Sequence, residues 1–173
     1  GRVPVWGFAT VEESKAEGVT AGQRVYGYLP ISDRFDVQPS KVGKASFIDG
    51  AAPRQPMAAI YNTYIFTAAD PSYDAESEAQ QMLFRPLFTT GWMIDDSLME
   101  TGDPIPETVV ISSASSKTAL ALAHCLKQRG TVDTVALTSK GNKSFVESTG
   151  LYGRVRTYAD ADRLHARGLT AFV

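Results

Sequence analysis

The chain has 173 residues, of which 43% are hydrophobic and 21% are charged, close to the averages of globular domains. The formal net charge is -2 and no block of like charge occurs, so we expect neither a nucleic-acid partner nor an anionic membrane partner. No apolar run approaches the length needed to span a bilayer. The single cysteine, Cys125, excludes an internal disulfide, and we take a cytoplasmic location as the default.

The first half of the chain has the composition of short β-strands. Glycine and proline interrupt residues 1 to 50 every few positions, as in a small barrel. We expect strands at residues 3–11, 24–28 and 35–37, where β-branched and aromatic residues concentrate. Residues 57–69 are apolar and aromatic, and their periodicity fits a helix and a strand about equally.

Residues 77–98 favour helical structure in two pieces. Residues 77–83 lean helical, and residues 86–98 suit a second helix that begins near Thr89. A loop follows at residues 102–106, where glycine and proline recur.

The pattern changes after Glu107. Residues 109–111 form a short, fully apolar run, typical of a parallel strand buried on both faces. The next helix has apolar residues at i, i+3, i+4 and i+7, and Gly130 ends it. Those helix positions are Ala119, Leu122, Ala123 and Leu126. We expect next a strand at 134–137, a helix at 142–149, a strand at 155–158, a helix at 159–167 and a strand at 170–173. This alternation predicts an α/β protein with a parallel sheet and right-handed crossovers.

A serine-rich turn joins the first parallel strand to the first helix. It reads Ser112-Ser113-Ala114-Ser115-Ser116-Lys117-Thr118. The free N–H groups and the dipole of a helix N-terminus favour an anion, and the serine hydroxyls add donors. Lys117 opposes the helix dipole, and a bound phosphate would remove that conflict. The alternative is that Ser115 and Ser116 are ordinary N-caps and that Lys117 points into water.

The turn departs from the glycine pattern of dinucleotide-binding turns. Ser113, Ser116 and Ala119 stand at the glycine places, so serine either contributes a hydroxyl there or blocks the cofactor. Residues 116–118 also resemble the end of a phosphate-binding loop, but Ile111 stands at its leading glycine place, which argues against an NTPase.

The segment after the second parallel strand carries no acid. It offers one hydroxyl and two ammonium groups, those of Ser139, Lys140 and Lys143. An acid at this place would bind the ribose 2′-hydroxyl of NAD, whereas this set suits the 2′-phosphate of NADP. The alternative is a solvated basic loop with an N-cap.

Several stretches resemble the medium-chain dehydrogenase/reductase superfamily, which joins a GroES-like lobe to a Rossmann lobe. Residues 7–11 and 18–27 resemble its "GxGxV…GV..GDRVYG" stretch, and residues 109–123 fall where its strand-turn-helix lies. The closer resemblance is to a branch catalogued as a domain of unknown function, through residues 84–90 and 112–119.

The resemblance implies a partial GroES-like β lobe followed by the first half of a Rossmann sheet. We expect residues 1–100 to hold the end of the substrate lobe with the inter-lobe helix, and residues 101–173 to begin the nucleotide lobe. The superfamily has further strands at both ends, so we expect a fragment, or an assembly that covers an apolar sheet edge. A homodimer is a further expectation from the resemblance.

Metal chemistry is not expected. The two histidines, His124 and His165, and Cys125 lack the spacing of a zinc site, so the chain resembles the zinc-free quinone and enoyl reductases. In such enzymes the cofactor supplies the hydride and the protein orients the substrate. The candidate substrate-side residues are Tyr61, Asn62 and Tyr64, with ordinary core packing as the alternative for at least one of the tyrosines. Thr89 is a weak cofactor candidate, from the place of the inter-lobe helix in the superfamily.

The first functional hypothesis is a zinc-independent oxidoreductase that transfers hydride between NADP(H) and a small-molecule substrate, namely a carbonyl, a quinone or an activated alkene. In it, the pyrophosphate is held by Ser113, Ser115, Ser116 and Lys117, with Thr118 as a further cofactor-binding residue, and the 2′-phosphate is held by Ser139, Lys140 and Lys143. A second hypothesis is a catalytically silent nucleotide-binding or scaffold protein that keeps the fold. A third is an enzyme that uses the crevice for another phosphorylated or CoA-linked ligand.

Overall fold

The computed structural model describes residues 3–164 and 168–173. The chain divides into two compact units, Gly1–Leu83 and Phe84–Val173. The first unit contains an antiparallel sheet and the second a parallel sheet. The prediction of a β-rich part followed by a parallel α/β part is therefore confirmed.

The first unit is built on a five-stranded antiparallel sheet with the strand order β1-β2-β5-β4-β3. The strands are β1 (Pro4–Thr10), β2 (Arg24–Pro30), β3 (Pro39–Ser40), β4 (Ser46–Asp49) and β5 (Thr63–Phe66). A single helical turn, α1 (Ala59–Asn62), leads directly into β5. The ambiguous segment 57–69 thus contains a helix and a strand in succession.

The core of the first unit lies on one face of this sheet. It is formed by Val19, Val25, Leu29, Phe47, Tyr64 and Phe66. The rings of Phe47 and Tyr64 stack with centroids 5.1 Å apart. Gly27 lies directly under this stack, because a Cβ there would approach the Tyr64 ring to 2.9 Å. The glycine therefore gives the Tyr64 ring room to lie flat on the sheet.

The strand predicted at residues 35–37 is wrong. These residues lie in irregular chain before β3. Phe35 and Val37 are nevertheless half-buried and pack against the core of the first unit. The alternation of apolar and polar side chains thus reflects burial on one side, but no neighbouring strand pairs with the segment.

Residues 78–99 form one helix, α2 (Glu78–Met99), and the division between the two units falls inside it. The predicted start near Thr89 is wrong, because the helix passes through Pro86. Proline removes one backbone donor and usually kinks or ends a helix. Here Thr89 and Thr90 donate their hydroxyls to the carbonyl oxygens of Arg85 and Pro86, at 2.9 and 3.1 Å.

The second unit contains a four-stranded parallel sheet with the order β8-β7-β6-β9. Its strands are β6 (Thr108–Ile111), β7 (Asp133–Thr138), β8 (Arg154–Thr157) and β9 (Thr170–Phe172). Helix α3 (Lys117–Arg129) joins β6 to β7, and the short helix α4 (Lys143–Ser148) precedes β8. The predicted alternation of strands and helices is thus confirmed through β8.

The connection from β8 to β9 differs from the prediction. The expected helix at 159–167 begins as a 3-10 helix, Tyr158–Arg163, and residues 165–167 of that prediction lie outside the described residues. In the edge strand β9, Phe172 is 72% exposed, in line with the expected apolar edge.

Helix α3 packs its predicted apolar face into the core of the second unit. Four of its five buried residues, all except Ala121, join Val109 and Ile111 of β6 in one cluster. Helix α2 also contacts this cluster, and its Gly91 touches α3 directly: a Cβ at Gly91 would lie 2.7 Å from the Leu122 nitrogen and 2.8 Å from the Ala121 Cβ. The two helices can approach this closely only because position 91 has no side chain.

We expect Gly91→Ala to destabilise the protein by about 1–3 kcal/mol, because backbone must move to make room for the methyl group. The measurement is the urea concentration at the midpoint of unfolding. Gly141→Ala is the matched control, since a Cβ there meets nothing within 4 Å. An equal effect of the two substitutions would contradict the close packing of α2 on α3.

Candidate functional site

The serine turn lies where the strand order changes direction. From β6 the chain proceeds to β7 and β8 on one side and then crosses to β9 on the other side. In open parallel sheets, ligands bind in the crevice outside the carboxyl ends of the strands at such a switch point. The turn after β6 is at the carboxyl end of the central strand, so it occupies the position that this rule describes.

The first turn of α3 is capped by serine. The Ser116 side chain accepts a hydrogen bond from the Ala119 N–H at 3.2 Å, which confirms the capping interpretation for Ser116. The first N–H groups of a helix have no acceptor within the helix itself. The N–H groups of Lys117 and Thr118 in this turn therefore remain for another acceptor.

Ser113 has a left-handed backbone conformation, with φ 45°. Glycine adopts this conformation without steric cost, whereas another residue pays for it. The backbone at this glycine place thus keeps a glycine-like conformation although serine is present. The Ser113 N–H donates to the Tyr158 hydroxyl at 2.8 Å, so a ligand that needs this donor must displace the tyrosine.

A side-chain hydrogen bond joins the turn to the loop after β7. The Asn142 amide donates to the Ser115 hydroxyl at 3.0 Å. Lys140 lies exposed in the same loop, and Ser139 is exposed beside it. The loops after β6 and β7 therefore lie side by side at the edge of the sheet that is formed by the carboxyl ends of its strands.

The lysines of this edge differ in their surroundings. The Lys143 ammonium forms a salt bridge with Glu147, one helical turn away, at 2.5 Å. Lys117 and Lys140 are exposed and have no salt bridge to the part of the chain that the structure describes. Lys117 and Lys140 are therefore the more available cations.

The backbone of Ala114, beneath the exposed part of the turn, is buried and hydrogen-bonded on both sides. Ala114 is fully buried, and its N–H donates to the Leu137 carbonyl oxygen at 3.0 Å. The Tyr152 hydroxyl donates to the Ala114 carbonyl oxygen at 2.8 Å. Burial raises the pKa of Tyr152, so this donor keeps its proton. The turn is thus held from below, while Ser112, Ser113 and Ser116 are exposed.

The candidate substrate-side residues have three different environments. Tyr64 is 1% exposed and belongs to the core of the first unit, while Asn62 is buried and bonded to Arg54. Tyr61 is 38% exposed, and its ring lies 5.0 Å from that of Tyr28. Only Tyr61 of the three is exposed.

Arg54 organises this region, and the sequence analysis did not identify it. Its guanidinium donates to the carbonyl oxygens of Tyr28 and Tyr61 and to the Asn62 side chain, and it pairs with the buried Asp49. Its position between proline and glutamine gave no signal of this role. The sequence analysis also did not identify Tyr158 and Asn142 beside the serine turn, because their neighbours in the sequence gave no signal of these contacts.

Thr89 is exposed on α2, and its hydroxyl is used within the helix, in the bond to the Arg85 carbonyl oxygen. Within the described residues, no group of three or more histidine, cysteine, aspartate or glutamate side chains is arranged to hold a metal. No helix in the described part of the chain combines the length and the apolar character needed to cross a membrane.

The fold and this edge define an α/β protein with an antiparallel β unit and a parallel unit of Rossmann type. The chain belongs to the family described as protein of unknown function (DUF2855), whose model matches residues 1–173. None of the curated proteins matches the chain.

Solved structures of oxidoreductases are similar over most of this chain. The quinone oxidoreductase from Coxiella burnetii is 15% identical, with 98% of this chain and 47% of that chain covered and a TM-score of 0.47. The yhdH oxidoreductase from Salmonella enterica in complex with NADP is 12% identical, with 92% and 53% covered and a TM-score of 0.45. A mycobacterial protein complexed with NADPH is 14% identical, with 91% and 40% covered and a TM-score of 0.45. The chain spans about half the length of these proteins.

We expect Ser113→Gly to stabilise the protein. The left-handed backbone costs serine roughly 1–2 kcal/mol, and the greater freedom of glycine in the unfolded chain takes back roughly 0.5–1 kcal/mol. The net gain of about 0.5–1 kcal/mol is measured by urea unfolding. Ser112→Gly is the control and should lose stability, because Ser112 has no positive φ to relieve. Equal shifts in the two variants would count against the strained turn.

The alkaline stability of the first unit should depend on Tyr64. Burial raises the pKa of Tyr64 from 10.0 to about 12. The neutral phenol therefore stabilises the folded state fully below pH 10, and this contribution is lost as the pH rises through about 12. Tyr64→Phe should lose less stability over that interval in urea unfolding at stepped pH, and a decline parallel to that of the unsubstituted protein would refute the assignment.

Proposed function

We propose that the chain provides the NADP-binding half-sheet and part of the substrate side of a zinc-independent oxidoreductase. The reaction transfers hydride between NADP(H) and a carbonyl, a quinone or an activated alkene. The observation that supports this proposal best is the Asn142–Ser115 contact. It brings the loops after β6 and β7 together at the strand-order switch, where a dinucleotide meets a parallel sheet.

The serine turn has a donor set that fits a pyrophosphate. The N–H groups of Lys117 and Thr118, the hydroxyls of Ser113 and Ser115 and the Lys117 ammonium are hydrogen-bond donors at the start of one helix. Ser116 serves the phosphate indirectly, because its hydroxyl already caps the helix and holds the first turn in shape. The Ser113 N–H becomes available when Tyr158 turns away.

The loop after β7 suits a 2′-phosphate. Lys140 supplies a cation that is free in the described structure, and Ser139 supplies a hydroxyl. Lys143 can bind the phosphate when its ammonium leaves Glu147. The cost is low, because a surface salt bridge of this kind contributes roughly 0–1 kcal/mol. No acidic side chain in residues 137–143 would repel the phosphate.

The cofactor, when bound, supplies the hydride, and the protein supplies orientation. On the substrate side, the exposed Tyr61 is the residue of its group that can donate a hydroxyl to a substrate oxygen. Asn62 and Tyr64 act from within the fold, since Arg54 holds Asn62 and the core holds Tyr64. Thr89 keeps a cofactor role only if its hydroxyl leaves the Arg85 carbonyl oxygen.

The test is a fluorescence titration of the protein with NADPH and with NADH. We expect saturable binding of NADPH. Lys117→Ala should lower the affinity for both cofactors by about tenfold or more, because both contain the pyrophosphate and a charge-assisted hydrogen bond to it is lost. The double variant Lys140→Ala/Lys143→Ala should lower the affinity for NADPH by about tenfold or more and leave the affinity for NADH unchanged, because only NADPH carries the 2′-phosphate.

Lys15→Ala, an exposed lysine of the first unit, is the matched control for loss of charge and should change neither affinity. Absence of binding for both cofactors would reject the proposal and favour a silent scaffold or another phosphorylated or CoA-linked ligand. Equal weakening of NADPH and NADH by the double variant would reject the assignment of the 2′-phosphate site.

A further inference from the structure

A slot with apolar walls opens on the second unit between helices α2 and α3. It has a volume of about 260 Å³ and is lined by Phe84, Phe88, Lys117, Leu120, Ala121 and His124. The aromatic walls come from α2, and the aliphatic walls come from α3. None of the residues assigned above to the substrate side contributes to it.

The aromatic wall of the slot is exposed. Phe84 and Phe88 are 47% and 44% exposed, and Trp92 continues the same face of α2 at 52%. Large apolar side chains clustered at the surface indicate a binding surface more often than scattered ones do. The Phe88 and His124 rings lie 6.2 Å apart with their planes tilted by 57°, so the slot is framed by two rings.

Charge at the slot is of one kind. Lys117 and His124 are the only ionisable side chains among its lining residues, and no carboxylate lines it. Lys117 is exposed and lacks a salt bridge within the described residues. An apolar slot beside an unpaired ammonium complements a molecule that has an apolar body and one negative charge.

We propose that this slot binds a small organic anion, with its aromatic or short acyl body between Phe88 and Leu120 and its carboxylate on Lys117. An apolar cavity of about 150 Å³ holds a benzene ring, so the present slot has room for a fused bicyclic ring or a short acyl chain. This site goes beyond the proposed cofactor site, with which it shares only Lys117.

The test is calorimetric titration of the protein with 2-naphthoate, with the uncharged 2-naphthol as the comparison ligand. We expect saturable binding of one naphthoate, with 2-naphthol weaker by about tenfold or more, because the charged contact is lost. Lys117→Ala should weaken naphthoate by a similar factor, and Lys117→Arg should retain most of the binding.

Phe88→Ala should also weaken naphthoate, and its circular dichroism shows whether the fold is kept. Phe88→Leu serves as a second variant should the alanine protein fail to fold. Lys140→Ala is the charge control and should leave naphthoate binding unchanged, although it weakens NADPH under the proposed function. The two proposals can therefore fail separately.

Three outcomes would overturn the proposal that the slot binds an organic anion. They are absence of saturable naphthoate binding, equal affinity for naphthoate and naphthol, and equal weakening by Lys117→Ala and Lys140→Ala. The second would show an apolar docking surface, and the third would show general attraction of the anion to basic residues.

Discussion

Strand β6 is the constraint on which the geometry of the second unit depends. Each of its residues, Thr108 to Ile111, is at most 1% exposed, and the strand is paired on both sides, with β7 and with β9. Each face packs into a separate apolar cluster. A buried strand with two neighbours and two covered faces has no room to slide, so its carboxyl end fixes where the serine turn begins.

The parallel half of the fold could be predicted from sequence because its signals are local. A short apolar run in the sequence indicates a buried parallel strand. The periodic apolar residues of α3, followed by a glycine, indicate a helix and its end. The continuation of α2 through Pro86 could not be predicted, because the contacts that hold it are distant in the chain. Asp95 of α2 is bonded to Arg129, 34 positions away, and Gly91 lies against α3. Rules based on neighbouring residues register the proline, but they contain no information on these distant partners.

The candidate site divides in the same way. Its two loops follow predicted strands, so Ser115 and Lys140 could be placed near one another from topology alone. The hydrogen bonds that Tyr158 and Asn142 make to the turn could not be predicted, because topology brings loops together without fixing which side chains bond to one another. The missing glycines were also only half informative. Sequence shows that position 113 has a side chain, but only the structure shows that its backbone keeps the left-handed conformation of a glycine.

Lys117 links the two proposed sites. As the first residue of α3 it opposes the helix dipole, at a cost of roughly 0.3–1 kcal/mol, until an anion approaches. Its backbone N–H belongs to the first turn of α3, and Lys117 also lines the slot between α2 and α3. One ammonium group can neutralise one anion at close range, so a pyrophosphate at the turn and a carboxylate in the slot would compete for it. Occupation of either site should therefore weaken the other, and the shared charge would couple the two by antagonism.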